Sequence, residues 1–173
     1  MVLVLKWLNR EHKRIAVFGC GNPLFGDDGF GSAVIEKLNQ IKNLPPDVVL
    51  EDVGTGIREV LFDYILDPSL RPRKIVIVDA ASQQGRRAGE VFLISPSEIP
   101  HEKVHDFSLH QFPTVNMLSE LAEGTGTEVI IVAVQPESIP ESVCPGLSQS
   151  VAEAVPLACN IIKKIIFDES EVR

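Results

Sequence analysis

The chain has too few basic residues for a polyanionic partner, too few cysteines for a disulfide framework and no apolar run long enough to span a membrane. Lysine and arginine number 16 against 24 aspartates and glutamates, a formal net charge of -8. Nucleic-acid affinity comes largely from neutralising phosphates with cations, so this balance argues against DNA, RNA and anionic membrane surfaces. The only basic cluster, Arg71 to Lys74 with Pro72 inside it, precedes an apolar run and reads as a solvated turn. The three cysteines, Cys20, Cys144 and Cys159, form no C-x-x-C pair, which suits structural thiols in a reducing cytoplasm. Nothing approaches the roughly 20 apolar residues of a membrane helix. The opening stretch MVLVLKWLNREHKR has an apolar part too short for a signal peptide and no small-residue cleavage site. Repeats and low-complexity segments are missing. So are G-x-S-x-G, H-E-x-x-H and a cysteine paired with a nearby histidine, which sets aside the familiar serine, zinc and cysteine protease machineries.

What is present is an ordinary globular composition, 45% hydrophobic and 23% charged over 173 residues. A chain of that length buries roughly 70% of the surface its unfolded form exposes, enough for one real core. Five apolar, β-branched runs read as strands: 14 to 19, 48 to 53, 74 to 80, 89 to 95 and 128 to 134. Several are continuous rather than alternating, as in strands covered on both faces. Between them, residues 28 to 41 place Phe30, Val34, Leu38 and Ile41 on one helical stripe, and 57 to 66 and 114 to 123 are further helix candidates. The last segment, 150 to 166, opens with Ser150-x-x-Glu153, a capping box, and contains Pro156, which should kink it. The pattern predicts a three-layer α/β/α sandwich around a mostly parallel five-stranded sheet, with the runs near 74 and 89 close enough to pair antiparallel. The domain is expected over residues 14–168, between an N-terminal extension, 1–13, and a short tail, 169–173.

The stretch GCGNPLFGDDGFG, 19 to 31, sits where α/β proteins bind phosphate, at a strand-to-helix loop. A dinucleotide fingerprint would need glycine at Leu24, and a P-loop would need Lys and Ser or Thr where Asp27 and Asp28 stand. A carboxylate about 4 Å from a phosphate charge costs about 4 kcal/mol at an effective dielectric of 20, against roughly 0.3 to 1 kcal/mol from a helix N-terminus. Repulsion wins, so the loop suits a cation or a carboxylate set beside a carbonyl or water. The bland reading is that an aspartate caps the helix, which accounts for one of the two.

Ligands in open α/β sheets sit beyond the carboxyl ends of the strands. Asp79 closes the run KIVIVD at such an end, and DVGTG, 52 to 56, closes the second strand as a turn or a close-approach loop. In HEKVHDFSLHQF, His101, His105 and His110 fall within ten residues, and His110 follows Ser108 in an S-x-x-Q box with Gln111. Two carboxylates and one imidazole make an incomplete coordination sphere, with donors suited to a first-row metal such as zinc or nickel.

These residues resemble those of the hydrogenase maturation proteases, endopeptidases that trim the C-terminal extension from the large subunit of nickel-iron hydrogenases. GNPLFGDDGFG fits that family's G-N-x-L-x-x-D-D-G-x-G pattern at every fixed position, and DVGTG, the VDA around Asp79, the LHQF around His110 and QPESI...GLS (135 to 148) follow in the same order. The likeness covers roughly residues 14 to 165. It implies that Asp28, Asp79 and His110 contact nickel already placed in the immature large subunit, with Asp28 and Asp79 also in the catalytic role. By the same resemblance no tightly bound cofactor of its own is needed, and Gly54, Thr55 and Gly56 shape a peptide groove; with Asp28 so assigned, Asp27 is the aspartate expected to cap the helix. Residues 1–13 and Phe112-Pro113 depart from the family pattern and point toward the branch serving deazaflavin-reducing hydrogenases of methanogens. A non-enzymatic nickel or large-subunit chaperone on the same scaffold is the alternative, and a nucleotide-binding protein would have to bind ATP or NAD, which the loop's charge argues against.

Overall fold

The β-branched runs form a single five-stranded sheet in the order β2-β1-β3-β5-β4. In this computed structural model residues 14–96 and 112–168 are described. The strands are β1 (Ile15–Cys20), β2 (Val48–Gly54), β3 (Lys74–Ala80), β4 (Val91–Ile94) and β5 (Glu128–Val134). β1, β2, β3 and β5 run parallel, and β4 closes one edge antiparallel to β5. The antiparallel strand is thus the expected one with a different partner. β5 lies between β3 and β4, because the crossover from β3 through the later helix brings β5 in as the parallel neighbour of β3.

Among the described residues four α-helices cover the sheet: α1 (Phe30–Leu38), α2 (Ile57–Leu66), α3 (Phe112–Thr125) and α4 (Gln149–Asp168). Strand alternation divides the core in two. Ala16, Phe18, Ile75, Ile77, Val129 and Ile131 pack with α2 and α3 through Val60, Leu61, Tyr64, Leu118 and Leu121. Ile15, Val17, Val76, Val78 and Val132 pack with α1 and α4 through Val34, Leu38, Val151, Ala158 and Ile162. This two-sided burial is why β3 is apolar at nearly every position. Gly31 lets α1 press onto the strands, since a Cβ there would stand 2.3 Å from the Cys20 carbonyl oxygen and 2.6 Å from that of Val78.

Some local expectations fail once side chains meet partners that the pattern does not show. The basic cluster is no solvated turn: the Arg71 guanidinium donates to the carbonyls of Tyr64 and Ile65, closing the end of α2. Lys74 is buried and pairs with Glu128 across β3 and β5 at 3.0 Å. Nor do Ser150 and Glu153 form a capping box. α4 begins at Gln149, Ser150 Oγ donates to Glu137, and Glu153 accepts from the Gln149 side chain. The helix continues through Pro156, whose missing N–H leaves the Ala152 carbonyl without its helical donor, and both residues lie on the exposed side.

Candidate functional site at the carboxyl edge of the sheet

The loop after β1 owes its shape to Gly21. Its φ is +104°, and a Cβ there would come within 2.0 Å of the Asp28 carbonyl oxygen. The chain therefore doubles back on itself, and the short 3-10 turn Gly26–Gly29 presents two adjacent carboxylates before α1 begins. Both are buried, Asp27 to 1% and Asp28 to 3% exposure. They do different things.

Asp27 faces away from its own helix, contrary to the expectation of a cap. Its Oδ1 accepts from Ser148 N at 2.7 Å, and its Oδ2 accepts from Glu137 N at 2.8 Å, Ser138 N at 3.2 Å and Ser148 Oγ at 3.0 Å. The 3-10 turn has no side-chain cap. A carboxylate has lone pairs enough for several donors, and charge strengthens each bond. Asp27 is thereby spent on the connection between β5 and α4.

Asp28 keeps coordinating capacity. Its Oδ2 accepts from Asn22 N at 2.7 Å, which fixes the carboxylate plane, while Oδ1 is buried with no hydrogen-bond partner among the described residues. A buried carboxylate oxygen without a donor is costly unless something else meets it. Asp79, 1% exposed, ends the apolar face of β3, and its Oδ1 accepts from Ala80 N at 2.8 Å. By strand alternation Asp79 follows Ile75 and Ile77 onto the face that Cys20 shares.

The Cys20 thiol reports how these charges gather. It is pushed well above its ordinary value of 9.0, first by burial and then by the charges of Asp79, Asp52 and Asp28. Three carboxylates from the ends of three neighbouring elements therefore act on one buried point. Asp52 belongs to the DVGTG turn, where its Oδ1 accepts from Gly54 N, and that turn is tied to the β1 loop by Gly21 N donating to Gly54 O at 3.0 Å. A slip of one residue in the β1–β2 register, between Gly19 and Cys20, accommodates the turn.

His110, with His101 and His105, lies outside the described residues. Among the described residues no three His, Cys, Asp or Glu side chains stand together as a metal site. A groove of about 170 Å³ opens beside the loop, lined by Pro23, Gly26, Gly29, Ser32, Glu36 and Gly146 among others, and neither Asp28 nor Asp79 lines it. Sequence reasoning missed the part played by Asp27 and by Gln135, which bonds Ser82, Gln83, Gly89 and Glu90. Their partners lie far along the chain, from Glu90 for Gln135 to Ser148 for Asp27, and the recurrence of QPES was the one available signal.

Known proteins are similar to this chain in sequence and in fold. The profile of the HycI family, hydrogenase maturation protease, matches residues 32–165. A protein of Methanocaldococcus jannaschii named as a hydrogenase maturation protease is 37% identical over 153 residues, covering 88% of this chain and 96% of its own. The coenzyme F420 hydrogenase subunit delta of Methanothermobacter thermautotrophicus is 32% identical over 152 residues, 86% of this chain and 91% of its own. Among solved structures, the hydrogenase maturating endopeptidase HybD from Escherichia coli superposes with a TM-score of 0.73 at 28% identity, covering 90% of this chain and 93% of that one.

Proposed function

This chain belongs to the hydrogenase maturation protease family, and from that premise we propose that it is the endopeptidase that removes the C-terminal extension of a nickel-iron hydrogenase large subunit after nickel insertion. The observation that carries the reading is Asp28, a buried carboxylate at the carboxyl edge of the sheet whose Oδ1 has no donor among the described residues. In this reading Asp28, Asp79 and His110 meet the nickel that the precursor brings. The metal is part of the substrate, and cleavage waits for it.

The chemistry follows from the donor set. A first-row metal ion polarises a carbonyl or lowers the pKa of a bound water, so the attacking oxygen can come from water without a serine or cysteine nucleophile. A carboxylate, Asp28 or Asp79, serves as ligand or takes the water's proton; the peptide C–N bond breaks, and the new amine leaves with a proton. Gly54, Thr55 and Gly56 would allow an extended peptide to pass close to the backbone. A deazaflavin-reducing hydrogenase is the favoured partner, since one relative is the delta subunit of a coenzyme F420 hydrogenase.

The test is the mass of the precursor after incubation with this protein. The wild type should release the tail only from nickel-loaded precursor. Asp28→Ala, Asp79→Ala and His110→Ala should keep the fold and lower cleavage by about 10²- to 10⁴-fold, as removal of an acid–base group does. Undiminished cleavage by Asp28→Ala would sink the site assignment. An unchanged precursor mass with every protein, despite binding, would favour the chaperone alternative.

A further inference from the structure

The connection between β5 and α4, residues 135–148, carries no group that the proposed chemistry uses, yet it is fastened at one end to the segment that follows Asp79 and at the other to the turn that bears Asp28. At its start Gln135 holds the segment that follows Asp79. Gln135 N donates to Glu90 O at 2.9 Å, its carbonyl accepts from Gly89 N at 2.8 Å, its Oε1 accepts from Gln83 N at 2.8 Å, and its Nε2 donates to Ser82 Oγ at 3.1 Å. Farther on, Glu137, Ser138 and Ser148 donate to Asp27, the neighbour of Asp28. Between these, Cys144 and the 24 to 26 segment exchange backbone bonds, Cys144 N to Leu24 O at 2.8 Å and Gly26 N to Cys144 O at 2.9 Å.

We propose that residues 135–148 act as a bracket that sets the separation of Asp28 and Asp79, with Asp27 and Gln135 as the positioning residues at its two ends. The inference rests on the peptidase reading for its consequence, but not for its geometry. Asp28 stands on the 3-10 turn and Asp79 at the last position but one of β3, where it pairs with Ala133 of β5, while β1 and β3 pair only as far as Gly19 with Val78, so the β1–β3 ladder does not itself join the two carboxylates. Beyond it a second tie is needed. The bracket supplies one through a carboxylate that accepts charge-assisted bonds and through a side-chain amide used as donor and acceptor at once. A buried carboxylate with several donors is also a stiff joint, because releasing it would leave an unpaired charge in the interior.

Positioning of this kind acts on the chemical step. A misplacement on the order of 1 Å can lower a rate by about 100-fold without touching substrate affinity. Gln135→Ala and Asp27→Asn should therefore lower kcat for tail removal by about 10- to 100-fold and leave KM within about threefold. Asp27→Asn should fall between wild type and Asp27→Ala, because an amide oxygen in the Oδ2 place keeps the bonds from Glu137 and Ser138 while its NH₂ opposes the Ser148 N–H. Amide hydrogen exchange of the free protein gives a readout that needs no substrate. The amide of Asn22 donates to Asp28 and that of Ala80 to Asp79, so both should lose protection in the bracket variants while amides in mid-β3 keep theirs.

Unchanged protection at Asn22 and Ala80 overturns the bracket, as does a rise in KM with kcat intact. Should Asp27→Ala fail to fold, Gln135→Ala and Ser148→Ala, which removes a single hydroxyl donor from Asp27, carry the same comparison. If the wild type leaves the nickel-loaded precursor uncut, the peptidase reading fails, and exchange at these two amides still decides whether the bracket exists.

Discussion

Adjacent aspartates in one turn have opposite fates because of where their oxygens point. Asp27 is surrounded by donors from a distant connection, whereas Asp28 has one donor for two oxygens among the described residues. The pair was legible in the sequence as unusual for a phosphate loop, and the resemblance singled out Asp28, but the division of labour was not legible. It depends on Ser148, which is 121 positions from Asp27. The cysteines separate in the same way. Cys144 is exposed, while Cys20 and Cys159 are buried free thiols. An alkylating reagent at neutral pH should label Cys144 in the native protein and reach the other two only on unfolding, as peptide mass mapping would show. Cys20 also predicts a pH dependence. Its raised folded pKa means that the unfolded chain gives up this proton first. Its contribution to stability is present below the unfolded value and is lost as pH rises past it toward the folded value. Urea midpoints should therefore fall on the alkaline side, above about pH 9, with a slope that Cys20→Ala reduces.

At the scale of elements, strand and helix bounds follow the apolar pattern closely. The 74 to 80 and 128 to 134 runs are β3 and β5 to the residue, and 57 to 66 is α2. α3 begins at Phe112 among the described residues, two positions ahead of the pattern, which places Pro113 in its first turn, where a missing N–H breaks no helical bond. Where elements meet, glycine and arginine set the contacts. Gly31→Ala would drive a Cβ into the Cys20 and Val78 carbonyls, and should destabilise by about 2 kcal/mol or more, since backbone on both sides cannot yield as a side chain would. Arg71→Ala should cost roughly 1 to 3 kcal/mol by uncapping the carbonyls of Tyr64 and Ile65 at the end of α2. Urea titration of each variant measures both, and a Gly31→Ala protein as stable as wild type would refute the close-packing account.

The whole molecule is a sheet with a separate apolar cluster on each face, and both clusters draw on the same strands. Leu61 and Ile162 are fully buried on opposite sides. Leu61→Ala and Ile162→Ala should each destabilise by about 2 to 5 kcal/mol, the range for buried aliphatic truncation. Residues that share no contact usually add, so the double variant should match the sum within about 0.5 kcal/mol. A large departure from the sum would mean that the sheet transmits repacking from one face to the other. No helix among the described residues is long and apolar enough to cross a membrane.

By itself the sequence determined the layer architecture, the number and nearly the bounds of the strands, the family, and the loop in which the charge of a phosphate site is inverted. These are read from periodicity, turn chemistry and short motifs, all carried by neighbours along the chain. Only the tertiary structure decided which strand β4 pairs with, that Arg71 and Lys74 are structural cations, that Asp27 ties down residues 137 to 148, and that Asp28, Asp52 and Asp79 act together on Cys20. The physical reason is the same throughout. A hydrogen bond or a Coulomb interaction depends on distance in space, and between residues on different elements that distance is set by the packed sheet and its helices, not by any local pattern.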